Sequence, residues 1–423
     1  MIRLPGARLR KAQIATLATF IAMGHAALSS VAWVPEYIAR LDVSFATWGT
    51  IVGFGLIGSI TPLLFASRLI MRYGSRAVIR FSNYGAMAFL VTLAFSSDPL
   101  VWFFLNASFG FFISLMGVSV NASAVMLQKQ ISINVMGRMH AGWSLGAVAA
   151  AISGGLGTVY LSLEIYLLIV GVVTLIIFEF NLRWLLSPTE DGHLEEKANT
   201  VKRRIYQMPA ELRLLAVGLF FGIYPEVAII DWAAVFAKDV LNADVALRSI
   251  PFAAFMTGMI IGRLSMTRLA RVWHPHTMAS RGAFLAAITL SISALTAGQL
   301  ASFNPEIGLI ATGAFWGLAG LGLAPVSPAF YSAAGHIPGV STAWAVSSLS
   351  LFNAVISIAA KTVMGALSEG VGLSLAFFFP IVMAVGSGFI AASVVKRARR
   401  SELDAAYPAT GPISIVVTED GAR

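Results

Sequence analysis

Residues 100–126 read LVWFFLNASFGFFISLMGVSVNASAVM and contain no charged side chain. Lipid offers the backbone no hydrogen-bond partner, so a helix that crosses a bilayer needs about 20 largely apolar residues. Comparable stretches recur from residue 12 to residue 395, and the chain of 423 residues is 57% hydrophobic and only 12% charged. The sequence therefore predicts an all-α membrane protein rather than a soluble globular domain.

Twelve membrane spans are predicted. They cover residues 12–34, 45–67, 77–96, 100–126, 139–160, 164–185, 211–235, 248–270, 280–300, 306–331, 341–367 and 372–395. If both termini are cytoplasmic, 25 of the 29 Lys and Arg residues fall in cytoplasmic segments, and Arg263 is one of these 25. The four exceptions are Arg40, Lys238, Arg248 and Lys361. This bias predicts a bacterial inner-membrane protein, and it explains the net charge of +9 without a nucleic-acid partner.

Three pairs of landmarks repeat at nearly constant spacing along the chain. They are Trp33 with Trp232, Arg68-Leu69 with Arg263-Leu264, and Trp143 with Trp344. The spacing predicts two pseudo-symmetric six-helix bundles, one over residues 1–186 and one over residues 211–396. A cytoplasmic linker over residues 187–210 joins them, and residues 397–423 form a cytoplasmic tail.

The stretch after the second predicted span carries a family motif. Residues 67–76 read SRLIMRYGSR, and this resembles the signature G-x-L-A-D-R-x-G-R-R of the major facilitator superfamily. Met71 replaces the signature Asp, and Thr267 stands at the corresponding position of the second half. The resemblance covers residues 10–396 and implies the twelve-helix fold of that superfamily, a solute site between the halves, and a monomer.

Three further stretches resemble the fucose-permease-like branch of bacterial transporters. They are Ala32-Trp33-Val34-Pro35, residues 140–146 (HAGWSLG), and Glu226 with Asp231-Trp232. The resemblance implies a proton-coupled carrier of small polar solutes. The motifs of drug/proton antiporters are absent, because Asn106 stands where those proteins have Arg and Gly146 is followed by Ala147.

Ionisable residues inside the predicted spans are the candidates for proton coupling, because a charge at mid-bilayer costs about 2.5–3.5 kcal/mol on insertion scales. Glu226 lies nearest the middle of span seven, after Pro225, and is the first choice. Asp231 either gates the outer end of the span or pairs with Lys361, which otherwise snorkels to the interface. His25 in span one is either a proton site or a packed histidine.

Polar and aromatic side chains supply the candidate solute contacts and gates. The predicted solute contacts are Asn121, Trp316, Tyr224, Trp33 and Trp232, and we expect His25 and Tyr224 to face one central cavity. Trp33 and Trp232 are alternatively interfacial anchors. Gate or ion-pair positions are predicted at Lys361, Arg72, Arg268 and His140, and Glu179 is expected to pair with Arg183.

The predicted function is a secondary active transporter for a small polar solute, sugar-like or another metabolite, that works by alternating access and is coupled to protons. The alternatives are an efflux carrier for drugs or metabolites, and a transporter-like receptor or scaffold. No enzyme, cofactor or metal is predicted: the chain has no cysteine, its histidines are scattered, and its glycine runs lack a P-loop lysine. The predicted partners are the solute, protons and the lipid bilayer.

Overall fold

A computed structural model describes residues 5–131, 135–187, 190, 208–335, 337, 340 and 342–406. The first half contains α1 (Gly6–Leu28), α2 (Val34–Leu41), α3 (Phe45–Ile60), α4 (Ala66–Tyr73), α5 (Ser75–Leu93), α6 (Pro99–Ile131), α7 (Met136–Tyr160) and α8 (Leu163–Leu182). The second half contains α9 (Ala210–Asp239), α10 (Ile250–Leu269), α11 (Pro275–Phe303), α12 (Pro305–Leu323), α13 (Val326–Gly335), α14 (Thr342–Val371), α15 (Leu373–Ala376) and α16 (Phe378–Ala406). Short 3-10 segments occur at Val31–Trp33, Thr61–Leu64 and Val245–Leu247.

The predicted all-α membrane fold is confirmed. Within the described ranges, 11 helical segments are long and apolar enough to cross a bilayer. Helix α5, at the place of the predicted third span, is not among them; it has 19 residues and carries Arg76 and Arg80. Most of the predicted linker, and residues 407–423 of the predicted tail, lie outside the described residues. Helix α16 continues to Ala406, so the first part of the predicted tail is helical.

Polar caps fix where several helices begin. Ser44 accepts a hydrogen bond from the Thr47 amide at the start of α3, and Ser162 accepts one from Ile165 at the start of α8. Asn304 accepts from Glu306 and Ile307 at 2.8 and 3.2 Å, directly before Pro305 at the first position of α12. These caps satisfy amides that have no partner inside the helix.

Two of the predicted spans are interrupted. The helix of span one ends at Leu28 and resumes as α2 at Val34, with a 3-10 turn between them. Span ten is divided between α12 and α13, where Ala324 and Pro325 separate the two helices. Pro325 explains the break in span ten, because proline cannot donate a helical hydrogen bond; residues 29–33, where span one breaks, contain no proline.

Corresponding backbone features support the repeat. Asp42 and Asn242 are the described non-glycine residues with positive φ, at 50° each. Each follows the first long span of its half and ends it in a left-handed conformation, which short polar side chains tolerate best.

Glycines allow helices to pack closely at several crossings. A Cβ at Gly157 would lie 2.7 Å from the ring of Tyr166, and one at Gly320 would collide with the carbonyl of Phe255. Between the halves, a Cβ at Gly49 would lie 2.7 Å from both the Cα of Gly365 and the carbonyl oxygen of Lys361. Helices α3 and α14 therefore meet almost backbone to backbone.

The helices run between two ends of the molecule. We call the end where α1 and α9 begin the terminal face, and the opposite end, with residues 42–44, 161–162, 240–249 and 372, the far face. At the terminal face Arg8 forms an ion pair with Glu190, with Nη2 and Oε2 2.7 Å apart, and donates to the Trp184 and Leu185 carbonyls. These contacts tie the start of α1 to the end of α8.

Candidate functional site

A cavity of about 220 Å³ lies between the two halves. Its walls come mainly from α1, α2, α3 and α6 of the first half, and α9 and α14 close it from the second half. The polar and aromatic residues that line it are Ser30, Tyr37, Trp48, Ser59, Trp102, Asn106, Phe109, Asp231 and Lys361. Asp231 and Lys361 are the charged residues among all that line the cavity.

Asp231 and Lys361 form a close ion pair in the cavity wall. Lys361 Nζ lies 2.9 Å from Oδ1 and 2.7 Å from Oδ2 of Asp231, and the side chains are only 11% and 13% exposed. The predicted alternative in which these residues pair is therefore confirmed, and Lys361 does not extend to the interface. The Tyr224 hydroxyl donates to the carbonyl of Ala360 at 2.6 Å and so anchors α14 directly beside Lys361.

Glu226, the other acid in the middle of α9, faces a second basic residue. Arg263 Nη2 lies 3.9 Å from Glu226 Oε1, and Arg263 also donates to the hydroxyl of Ser144 on α7. Arg263 lies inside α10, within the stretch Val245–Met266 that is long and apolar enough to cross a membrane. Sequence reasoning missed it as a site residue, although its Arg-Leu pair was one of the repeat landmarks.

Three aromatic side chains form one wall of the cavity. The rings of Tyr37, Trp48 and Trp102 have centroids 4.9–6.3 Å apart, and the residues are 1–4% exposed. Within the described part of the chain, Tyr37 Oη and the Nε1 atoms of Trp48 and Trp102 are buried without a hydrogen-bond partner. No pattern in the sequence marks this cluster, because tryptophans near helix ends are also common interfacial anchors.

His25 and Tyr224 do not share a cavity, so that expectation is wrong. His25 Nε2 lies 2.9 Å from Ser153 Oγ, which in turn lies 3.1 Å from Tyr166 Oη. His25 lines a separate pocket of about 350 Å³ among α1, α7 and α8. Tyr224 packs instead on Phe220 and Phe379. The reason is that each side chain is directed by packing within its own half.

The predicted tryptophan contacts lie outside the cavity. Trp33 packs on Tyr166, and Trp232 meets Phe45 edge to face across the two halves. Trp316 is 1% exposed, donates to Ser293 at 3.0 Å, and packs on Phe236 and Phe377. A solute held in the cavity therefore touches none of the three.

The predicted solute contact Asn121 and the predicted gate residues Arg72, Arg268 and His140 are also away from this cavity. The Asn121 amide donates to the Gly117 carbonyl of its own helix at 2.8 Å. Arg72 lies over the ring of Tyr73, Arg268 is exposed, and His140 is exposed with its ring edge-on to Phe20.

Glu179 pairs with a different arginine from the one predicted. Its partner is Arg80, with Nε and Oε1 3.0 Å apart. Arg183 lies instead over the rings of Phe180 and Trp184. The spacing of four residues places Arg183 within reach of Glu179, but a neighbouring helix presents a competing cation.

Contacts between the two halves are concentrated at the far face. Arg248 Nη1 lies 3.4 Å from Glu36 Oε1, and the Phe45 amide donates to Glu369 at 2.9 Å. Thr158 Oγ1 lies 3.4 Å from the Val245 carbonyl. Together with the close approach of Gly49 and Gly365, these contacts close the space between the halves at that end.

Comparison with known proteins places this arrangement in a family. The model of the Major Facilitator Superfamily matches residues 15–360. An uncharacterized transporter of Sinorhizobium fredii is 26% identical over 357 residues, covering 82% of this chain and 88% of that protein. An uncharacterized MFS-type transporter of Yersinia pestis is 24% identical over 370 residues, covering 86% and 91%.

Solved structures share the fold over nearly the whole chain. A mutant of the nucleoside transporter NupG aligns with a TM-score of 0.72 at 12% identity, covering 92% of this chain and 99% of that one. A bacterial homolog of the human lysosomal transporter Spinster, in an inward-facing and occupied conformation, aligns with a TM-score of 0.64 at 14% identity, covering 92% and 96%. At these identities the likeness shows the fold alone.

Proposed function

Because the chain belongs to the Major Facilitator Superfamily, we propose that it is a proton-coupled secondary transporter that moves a small polar solute by alternating access. The family is one of multi-pass membrane transporters and is not an enzyme class. The observation that carries the proposal is the Asp231 to Lys361 ion pair, which lies in the wall of a cavity between the two halves.

The distribution of contacts between the halves supports alternating access. The halves meet through ion pairs, hydrogen bonds and glycine contacts at the far face, so this state is closed there. Interfaces of this kind have two discrete arrangements rather than a continuum. Breaking the far-face contacts and closing the terminal face would expose the cavity to the other side.

The cavity limits the size of the solute. At about 220 Å³ it is smaller than the roughly 300–1,000 Å³ of sites that hold drug-sized ligands. Its lining combines an ion pair, an amide, hydroxyls and indoles, which suits a small polar metabolite better than an apolar drug.

Two acids on α9 are the proposed proton carriers. Asp231 borders the cavity, and Glu226 lies five residues nearer the terminal face, about 7.5 Å along the helix axis. An ionisable group kept inside a membrane span is a functional candidate by default. We propose that Asp231 binds the proton that is transported with the solute. Glu226 then carries that proton toward the terminal face.

Membrane orientation and branch complete the proposal. The bias of Lys and Arg toward the terminal face supports cytoplasmic termini in a bacterial inner membrane. The motifs around Trp33, His140 and Glu226 support the fucose-permease-like branch. A fusion reporter at the C-terminus tests the orientation: activity of a cytoplasmic reporter is expected, and activity of a periplasmic one would contradict it.

Transport in proteoliposomes tests the function. Wild-type protein is reconstituted with a pH-sensitive dye inside, and a panel of sugars, nucleosides and organic acids is added outside. We expect at least one solute to drive proton movement that protein-free vesicles do not show. Solute uptake without proton movement would contradict the coupling, and the absence of uptake for every class would contradict the transporter assignment for these solutes.

A further inference from the structure

The aromatic wall of the cavity offers hydrogen-bond donors that the protein does not use. Tyr37, Trp48 and Trp102 are all more than nine-tenths buried, and they line the same cavity as Asp231 and Lys361. In the described part of the chain, the indole nitrogens of Trp48 and Trp102 and the Tyr37 hydroxyl have no hydrogen-bond partner. Buried polar atoms are normally paired, so three unpaired donors in one cavity wall are candidate ligand contacts. Each atom is enclosed by protein in this state, so a ligand group reaches it only when the wall moves.

The chemistry of these donors restricts the ligand group. An indole N–H donates and cannot accept, so the group that meets Trp48 and Trp102 has to carry acceptor atoms. Tyr37 and Trp48 stack, and Trp102 packs against both at edge-to-face and tilted angles, with centroids 4.9–6.3 Å apart. This packing leaves no open box of aromatic faces for a cation. A carboxylate has acceptor oxygens only and fits donors of this kind.

The charged residues in the cavity wall determine which net charge a bound solute can carry. Tyr37, Asp231 and Lys361 are the titratable groups that line the cavity, from α2, α9 and α14; the lining residues of α1, α3 and α6 carry none. Tyr224 and Glu226 lie near Asp231 on α9 itself, and Glu226 already faces Arg263 of α10. The cavity is neutral while Asp231 and Lys361 form their ion pair.

Protonation of Asp231 would change that balance. The proton would come from water at the open side and bind the carboxylate, which leaves the Lys361 ammonium buried without a counter-ion. An uncompensated buried charge is strongly unfavourable. An anion that binds beside Lys361 restores neutrality, so proton and anion favour each other's binding.

We infer that the solute is a small organic monocarboxylate, held between Lys361 and the donors of Trp48 and Trp102, which binds together with a proton on Asp231. This inference rests on the proposed function and specifies its substrate class. One proton and one monoanion enter and leave together, so the transport cycle moves no net charge.

Binding to purified protein in detergent tests the inference with matched ligand pairs. The probes are lactate, benzoate and nicotinate, each compared with its neutral amide, and the readout is the ligand-induced rise in Tm at pH 6 and pH 8. At least one carboxylate is expected to stabilise wild-type protein, with an affinity that falls by about tenfold per pH unit above the proton-binding range. Its amide is expected to have no effect.

Three tryptophan variants locate the site. Trp48→Phe and Trp102→Phe keep a ring but remove the donor, and each is expected to weaken carboxylate binding by roughly tenfold or more, as for the loss of a hydrogen bond to a charged group. Trp33→Phe is the matched control, because the Trp33 Nε1 atom is also buried without a partner in the described residues but lies outside the cavity. It is expected to leave the affinity unchanged.

The outcomes distinguish failure of the monocarboxylate assignment from failure of the proposed transport function. Equal stabilisation by an amide, affinity independent of pH, or no stabilisation by any carboxylate overturns the monocarboxylate assignment. Proton movement driven by a neutral solute in proteoliposomes would then leave the transporter proposal intact. An equal loss in the Trp33, Trp48 and Trp102 variants overturns the location of the site.

Discussion

Two acidic residues of α9 each face a basic residue of another helix, and the two pairs differ in their N···O distance and in their surroundings. Asp231 and Lys361 are in contact at 2.7 Å, are 13% and 11% exposed, and border the cavity between the halves. Glu226 Oε1 and Arg263 Nη2 are 3.9 Å apart, and the side chains are 14% and 22% exposed. Arg263 also donates a hydrogen bond to Ser144 of the other half. Depth in the membrane alone would favour Glu226, whereas contact geometry favours Asp231 as the solute-linked acid.

The two pairs should also differ in their energetic importance. Removing one partner of a buried ion pair leaves an uncompensated charge and costs about 3–5 kcal/mol. A pair at 3.9 Å lies at the limit of contact, and Arg263 keeps a second hydrogen-bond partner. The comparison therefore predicts that the tight pair governs both stability and coupling, and that the loose pair affects mainly rate.

The largest effect is expected from Lys361→Met. It leaves the Asp231 carboxylate buried without a cation and should reduce the free energy of unfolding by about 3–5 kcal/mol. The double variant Asp231→Asn with Lys361→Met should recover most of that loss, because no charge is then left unpaired, but it should not couple protons to solute. Unfolding in detergent and proteoliposome flux measure the two properties; a double variant as unstable as the single one would contradict the account.

The next effect is expected from Gly49→Ala. The added Cβ would lie 2.7 Å from the Lys361 carbonyl and the Gly365 Cα, so α14 has to move. Overpacking of this kind costs about 1–3 kcal/mol and should displace Lys361 from Asp231, which reduces transport. The control is Gly117→Ala, where a Cβ meets nothing within 4 Å. Equal transport in the two variants would show that this contact does not position Lys361.

A smaller change in stability is expected from Glu226→Gln. Arg263 keeps its contact with Ser144, so the free energy of unfolding should fall by less than about 1 kcal/mol. Solute binding should persist, while the rate of solute-driven proton movement falls because the second proton site is lost. Binding assays and flux assays on the same preparation separate the two. Loss of solute binding in this variant would reverse the roles assigned to the two acids.

The smallest effect is expected at the partly exposed ion pair of Arg8 with Glu190 at the terminal face, which serves as the reference for the other two pairs. Burial alone would raise the pKa of Glu190, but hydrogen bonds from Arg8 and from the Ser187 backbone outweigh it and hold the pKa below its ordinary value of 4.5. Its stabilisation is therefore present above pH 4.5 and is lost as the pH falls through the lowered pKa. Glu190→Gln should cost less than about 1 kcal/mol at pH 7, and this cost should shrink as the pH falls below 4.5. A Tm difference independent of pH would contradict this.

The spans could be predicted because lipid leaves the backbone few options. Long apolar stretches such as α6 have to be helical, and the break at Pro325 follows from proline chemistry. The break at Leu28 could not be predicted, since nothing in its local composition ends a helix. It is produced by packing, where Trp33 and Ala32 meet Tyr166 and Gly154.

The site could be predicted only in part. Charged side chains inside membrane spans are costly in lipid, so their presence in the sequence indicates a functional role. This reasoning identified Asp231, Lys361 and Glu226 as candidates. Arg263 and the cluster of Tyr37, Trp48 and Trp102 depend on which helices meet, and helical periodicity does not carry that information. The same limit placed His25 in the central cavity, whereas its hydrogen bond to Ser153 keeps it within the first half.

The central claim is that solute and proton move together through the Asp231 to Lys361 site. The most direct test measures solute uptake and proton movement in the same proteoliposomes, for wild type and for the Asp231→Asn, Lys361→Met double variant. We predict one proton per solute in the wild type and no solute-driven proton movement in the double variant. Unchanged coupling in the double variant would contradict the account and place the proton elsewhere.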